Sequence, residues 1–315
     1  TSHFNLAELY RMSDLIDNAI KENTIAIRLK PDFTDAHFNL GGVLNSLGDA
    51  NGAITQYQKA IAITPNYVEA FNNLGNILLN QGRLDDAITN FKKAISINPA
   101  YFEGHNNVGN ALHDLGNMDE AIASFNNAIS IKPDYAKAYY NLGIALQEFG
   151  KLHDSVKSYE NSIALEPKNA QAHNNLAIVL RELDQLEEAE ASCRKAIVLD
   201  PEYAEAYSSL SIILYANGDL NSALESIEKA YSINPKLKLI KLLLVVLKAR
   251  KNRDTNDVNV GNISKSGFDA QLTSNPLILY RAVEQELIAK LYEMKSLEHY
   301  PNTDTIYGNA RGSSY

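Results

Sequence analysis

Residues 68–101 read VEAFNNLGNILLNQGRLDDAITNFKKAISINPAY, and the same pattern returns along most of the chain. Pro99, near the end of this stretch, belongs to a regular series with a spacing of 34 residues. Seven of the nine prolines fall on this series: Pro31, Pro65, Pro99, Pro133, Pro167, Pro201 and Pro235. A period of this length is typical of a solenoid in which each repeat is a pair of helices.

The residues expected to pack recur at fixed positions, which we number from the third residue after each proline. The first helix of a repeat, helix A, should pack through positions 4, 7, 8 and 11, because a turn of about 100° per residue places them on one side. Position 7 is Leu or Val, position 8 is small (Gly41, Gly75, Gly109, Gly143, Ala177, Ser211), and position 11 is always Leu. In helix B, positions 20 and 27 are Ala or Ser, and position 24 reads Tyr57, Phe91, Phe125, Tyr159, Cys193, Ile227. The small residues should let the two helices approach closely around the larger residue at position 24.

Position 15 is expected to end helix A in a left-handed conformation, because it is glycine in five repeats. Asp184 stands there in the fifth repeat. We expect it to take the same turn with some strain.

This pattern resembles the tetratricopeptide repeat (TPR), which has large–Leu–Gly–large in helix A and Ala–aromatic–Ala–Pro in helix B. The resemblance implies an all-α fold, a right-handed superhelical solenoid of helix–turn–helix repeats. It covers about three quarters of the chain, in a degenerate repeat at 1–33 and six repeats at 34–67, 68–101, 102–135, 136–169, 170–203 and 204–237.

The C-terminal quarter departs from the repeat. Residues 238–251 are predicted to form a closing helix that covers the last repeat, the alternative being a basic helix on a membrane surface. Residues 252–275 are predicted to be a linker, and 276–315 a C-terminal helix with a polar tail. Residues 276–315 are similar to the lead-in of a 2-oxoglutarate/iron oxygenase-like domain, which implies a further domain. The alternative is a tail on a complete adaptor.

The charge and the amino-acid composition exclude or disfavour several kinds of function for this chain. The net charge of −9 divides into −13 over residues 1–235 and +4 over residues 236–315. An array this acidic disfavours nucleic acid as a ligand. The single cysteine, Cys193, excludes an intrachain disulfide framework and a cysteine-based zinc cluster, and its core position predicts a buried side chain. Lacking a signal peptide and a long apolar run, the sequence is expected to be cytoplasmic and not membrane-bound.

No known catalytic motif is present, so we expect no active site, metal or cofactor in the array. Four of the seven histidines occupy position 4, where a structural role is expected: His3, His37, His105 and His173.

The face of helix A opposite the packing stripe carries a row of amides. Positions 5, 6 and 9 supply the candidate groove residues: Asn39, Asn72, Asn73, Asn76, Asn106, Asn107, Asn110, Tyr140, Asn141, Asn174 and Asn175. An asparagine side chain both donates and accepts hydrogen bonds, so a row of them can hold an extended peptide backbone. The row is similar to that of O-linked N-acetylglucosamine transferase superhelices, which implies a groove that holds protein. The alternative is that these asparagines bond only to the neighbouring helix.

The predicted function is a protein–protein interaction scaffold. Its partner is predicted to be an extended polypeptide, neutral or basic because the rim is acidic. Neither the oligomeric state nor the partner's identity follows from the pattern. The alternative function is the substrate-recruiting, non-catalytic part of a larger enzyme, a glycosyltransferase or a 2-oxoglutarate/iron oxygenase-like protein. A chaperone carboxylate clamp does not fit, because position 5 has no Lys and position 6 no Arg.

Overall fold

A computed structural model of the chain describes residues 2–13 and 15–257. Within these residues it contains fifteen helices and no strand, and consecutive helices pack against each other from α1 to α10 and from α12 to α15, which confirms the all-α TPR solenoid. The helices are α1 (Ser2–Met12), α2 (Ile16–Leu29), α3 (Thr34–Ser46), α4 (Ala50–Ile63), α5 (Val68–Asn80), α6 (Leu84–Ile97), α7 (Phe102–Asp114), α8 (Met118–Ile131), α9 (Ala136–Glu148), α10 (Leu152–Leu165), α11 (Ala170–Glu182), α12 (Leu186–Leu199), α13 (Ala204–Ala216), α14 (Leu220–Ile233) and α15 (Lys238–Asp257). The chain divides into two compact units, Thr1–Val179 and Leu180–Tyr315.

The turn between the helices of a repeat requires a left-handed residue, as predicted. The glycines at position 15 have φ between +74° and +83°. After α5, the backbone N–H of Arg83 bonds the carbonyl of Leu78 at 2.9 Å, which satisfies a carbonyl that the helix end leaves open. Asp184 takes the same turn with φ 61°, and the N–H of Gln185 bonds Leu180 at 2.9 Å.

Close contact between helix A and helix B explains the small residue at position 8. A Cβ atom on Gly109 would lie 2.5 Å from Cε1 of Phe125, which is itself buried. The sixth repeat has Ser211 at position 8 and the smaller Ile227 at position 24. The Ser211 hydroxyl donates to the carbonyl of Ala223 at 2.7 Å.

Two further positions of helix A are buried, and the sequence analysis missed both. They are position 3 (Ala36, Ala70, Gly104, Ala138, Ala172, Ala206) and position 10 (Val43, Ile77, Ala111, Ala145, Val179, Ile213). Leu9 occupies position 10 in the first repeat but is 60% exposed. Among the described residues no helix B precedes α1. We infer that in the later repeats position 10 is buried by helix B of the preceding repeat.

In the second unit, α15 packs on α14 and buries Ile240 and Leu247. Lys248 pairs with Glu228 at 2.8 Å. The helix continues to Asp257, so the predicted linker over 252–275 begins too early. Residues 252–257 are polar, yet no glycine or proline interrupts the chain between 251 and Gly261.

The rest of the predicted linker and the C-terminal segment 276–315, with its similarity to an oxygenase lead-in, lie outside the described residues. Among the helices that are described, none has the length and apolar character needed to cross a membrane.

Candidate functional site

The candidate site lies on helices α3, α5, α7, α9 and α11, all of which contribute to the first unit. We define the asparagine row as the position-6 residues of these helices: Asn39, Asn73, Asn107, Asn141 and Asn175. Each side chain is partly buried. The row therefore has one side in contact with protein and one side open.

Hydrogen bonds join the row from repeat to repeat. Nδ2 of Asn107 donates to Oδ1 of Asn72 at 2.8 Å, and Nδ2 of Asn141 donates to Oδ1 of Asn106 at 3.0 Å. In both cases position 6 of one repeat reaches position 5 of the repeat before it. Asn175 follows the same rule, with Tyr140 Oη as the acceptor at 3.0 Å.

The N-terminal part of the row uses other acceptors. Asn39 donates to the Glu8 carboxylate at 2.7 Å, and Asn73 donates to the Tyr57 hydroxyl at 3.4 Å. Sequence reasoning did not identify Glu8 or Tyr57 as partners of the row. Every member of the asparagine row is thus held by a residue of the preceding repeat.

The position-5 asparagines correct the sequence prediction, which placed them on the open face. Asn72, Asn106 and Asn174 are only 8%, 0% and 3% exposed. Position 5 lies three residues before the small packing residue at position 8, so it shares that side of the helix. Asn72 and Asn106 accept hydrogen bonds from the row, Asn174 bonds none of its members, and all three are too buried to line a groove. Tyr140, at the same position, is partly buried.

Position 9 adds two more amides to the open face, both partly exposed. Asn110 accepts a second bond from Nδ2 of Asn141 at 2.9 Å. Asn76 makes no hydrogen bond to the described part of the chain, so its whole amide is available to a ligand.

The inter-repeat bonds leave acceptors on the open side. Each row residue uses its Nδ2 group toward the preceding repeat. Within the described residues, no donor reaches Oδ1 of Asn39, Asn73, Asn141 or Asn175. Side chains held in this way lose little further conformational freedom when a ligand binds.

An acidic and aromatic edge borders the row at the N-terminal ends of the same helices. Asp35 and Glu69 are exposed, and Tyr67 Oη donates to Asp35 at 3.4 Å. Burial, and then the charges of Asp35 and Glu69, raise the pKa of Tyr67 to about 12. Burial and the charges of Glu103 and Glu69 likewise raise the pKa of Tyr101 to about 12. This edge carries a negative potential.

Three of the four histidines at position 4 bond the backbone just before their own helix, and the fourth, His3, contacts the Glu22 carboxylate through Nδ1. Nε2 of His37, His105 and His173 donates to the carbonyl of the proline six residues earlier, at 3.1, 3.1 and 3.2 Å. Outside this set, His113 Nε2 lies 3.1 Å from the Glu148 carboxylate of the next repeat, a pairing that the sequence analysis missed. No cluster of three or more His, Cys, Asp or Glu side chains in the described residues could hold a metal ion.

In the second unit Cys193 is buried, as predicted, and its thiol donates to the carbonyl of Ala206 at 3.0 Å. Burial raises the pKa of the thiol to about 12. A thiol that stays protonated at neutral pH is a poor nucleophile.

A known protein family matches the repeat region of the chain. Residues 5–237 match the family model of the cilia and flagella-associated protein 70 C-terminal domain. No curated protein sequence matches the chain.

Several solved structures share the fold. YrrB, described as a TPR protein with an unusual peptide-binding site, is 21% identical with a TM-score of 0.51, over 62% of this chain and 97% of that one. A tetratricopeptide repeat protein from Parabacteroides merdae is 18% identical with a TM-score of 0.61, over 78% and 98%. A chain of the APC/C hetero-tetramer Cut9–Hcn1 is 14% identical with a TM-score of 0.62, over 74% of this chain and 49% of that one, so the present chain spans about half its length.

Proposed function

The chain belongs to the family of the cilia and flagella-associated protein 70 C-terminal domain, a TPR family, and from this membership we propose that it is a non-catalytic protein-interaction scaffold. Its first unit binds an extended polypeptide along the asparagine row. The partner is neutral or basic, because the edge beside the row is acidic and complementary charge steers association.

One observation carries the proposal. Four amides at position 6 each have at least one N–H group bound to the preceding repeat, while their Oδ1 atoms accept nothing from the described residues: Asn39, Asn73, Asn141 and Asn175. Such a set of fixed acceptors suits the backbone N–H groups of an extended chain, whatever its side chains. The bonds to the preceding repeat also support the alternative that the row is only structural, so the test must separate binding from folding.

The length of the ligand follows from helix packing. Neighbouring helices lie about 8–10 Å apart, so five helices A span about 40 Å between the first and the last. An extended peptide of about 12 residues covers this distance.

The test uses a displayed library of random peptides about 12 residues long, selected on the full chain. Peptides that bind are measured by fluorescence anisotropy against wild type and Asn76→Arg. Asn76 lies in the groove but makes no hydrogen bond to the described residues, so this variant places bulk and positive charge there without breaking an inter-repeat bond. We expect its affinity to fall at least about tenfold, which corresponds to about 1.4 kcal/mol.

The matched control is Asn126→Arg, the same change at an exposed residue of α8, away from the row. It should bind within about twofold of wild type. If Asn76→Arg binds as tightly as Asn126→Arg, or if wild type selects no peptide, the asparagine row is structural and the proposal is wrong.

A further inference from the structure

The chemistry of position 9 changes along the asparagine row. It is Asn76 in α5 and Asn110 in α7, but Ile144 in α9 and Ile178 in α11. Both isoleucines are partly buried and partly exposed. Position 6 remains asparagine throughout, so an amide face gives way to a mixed face within the first unit.

This change alters what the neighbouring row amide can do. Asn141 uses both of its N–H groups, one toward Asn106 at 3.0 Å and one toward Asn110 at 2.9 Å. In the next repeat Ile144 replaces Asn110 and cannot accept a hydrogen bond. Asn175 makes one bond, to Tyr140 at 3.0 Å, so both an N–H group and its Oδ1 are available, as they also are in Asn39 and Asn73.

The two isoleucines lie beside this amide. Ile178 follows Asn175 by three residues on the same helix, and residues at that spacing are neighbours on a helix surface. Ile144 stands in its repeat where Asn110 stands in the one before, and Asn110 touches Asn141. Asn175 is thus flanked by apolar side chains, whereas Asn107 has Asn76 and Asn110 at the equivalent positions.

The geometry points to a specificity subsite around Asn175 that takes an apolar residue of the bound peptide. This inference rests on the proposed function. Asn175 donates to the backbone carbonyl of that peptide residue and accepts from its backbone N–H. The apolar side chain of the peptide residue then covers Ile144 and Ile178. Removing these partly exposed isoleucines from water favours an apolar occupant, while the amides around Asn107 offer no such gain. The partner is therefore an extended segment in which a polar stretch is followed or preceded by an apolar residue.

The probes are two synthetic peptides of about 12 residues. One consists of Gly, Ser and Lys, and the other is identical except that Leu replaces each Ser, so that a Leu can reach the subsite in any register. Wild type should bind the Leu peptide about fivefold more tightly, as expected for partial burial of one leucine. The double variant Ile144→Asn/Ile178→Asn restores the chemistry found around Asn107 and should bind the two peptides within about twofold of each other.

The control is Leu165→Asn, which changes an exposed apolar residue of α10 away from the row and should keep the wild-type preference. Thermal unfolding by circular dichroism verifies that the double variant is folded; if it is not, Ile144→Asn alone takes its place. The inference is overturned if wild type binds the peptides equally or binds neither, or if the double variant keeps the preference. It is also overturned if wild type self-associates and the double variant is monomeric, because the isoleucines would then join two copies of the chain.

Failure of the inference is distinguishable from failure of the proposed function. If only the inference is wrong, Asn76→Arg still weakens the binding of library-selected peptides. If the proposed function is wrong, Asn76→Arg has no effect on any peptide.

Discussion

Replacing Asn141 with alanine tests whether the row joins the repeats. The side chain donates to Asn106 at 3.0 Å and to Asn110 at 2.9 Å, and Asn106 is fully buried. The variant loses two hydrogen bonds of about 1 kcal/mol each and leaves Oδ1 of Asn106 without this donor and out of reach of water. Asn110 is partly exposed, so water can replace its lost bond. The expected loss of unfolding free energy is about 2–3 kcal/mol.

For a unit of this size, the loss corresponds to a fall in Tm of about 5–10 °C. Thermal unfolding followed by circular dichroism measures it. The matched control is Asn76→Ala, the same substitution on the same face, which removes no hydrogen bond to the described residues. A change of this kind costs less than about 0.5 kcal/mol.

The double variant Asn106→Ala/Asn141→Ala completes the test. It removes the buried acceptor together with its donor. Its loss of unfolding free energy should therefore be smaller, by about 1 kcal/mol, than the sum of the losses in the two single variants. Equal melting of Asn141→Ala and Asn76→Ala, or strict additivity in the double variant, would refute the bonded row.

Two further predictions concern the packing and the acidic edge. Gly109→Ala should lower the free energy of unfolding by about 1–2 kcal/mol, because the strain against Phe125 exceeds the gain of about 1 kcal/mol in helix propensity. Phe125→Ile imitates the sixth repeat, and in that background thermal unfolding should show Gly109→Ala to be neutral or stabilising. The pKa values of Tyr67 and Tyr101 are raised to about 12 in the folded chain from the ordinary 10, so Tm should hold below pH 10 and fall as the pH rises from 10 to 12. Tyr67→Phe/Tyr101→Phe should weaken this alkaline loss, and an unchanged profile would contradict the assignment.

The repeat architecture could be predicted from the sequence because its causes are local. A helix end that needs φ > 0 selects glycine, and this requirement identified the turn at Asp184 even though the residue is not glycine. The small residue at position 8 was predictable for the same reason, since it contacts position 24 of its own repeat, as in Gly109 and Phe125.

The roles of individual asparagines were not predictable in the same way. Positions 5 and 6 both read Asn in α5, α7 and α11, and nothing in their residue type separates Asn106, which is buried, from Asn107, which is partly exposed. Their hydrogen bonds join residues that are 35 apart in the sequence, one more than the period of 34. Comparing the same position in successive repeats therefore does not reveal these pairs. The Asn175 surroundings could have been found from the sequence, because the change from Asn110 to Ile144 at position 9 is visible there.

The sequence by itself determined the period of the repeat, its division into two helices and the residue at which helix A ends, because each depends on contacts within about one period. Only the tertiary structure decided which stripe of each helix A the next repeat covers. That choice depends on how far one repeat is rotated against the one before it, and the rotation is set by the sum of many side-chain contacts between repeats. It buries Asn72 and Asn106 and leaves the Oδ1 atoms of Asn73 and Asn141 open.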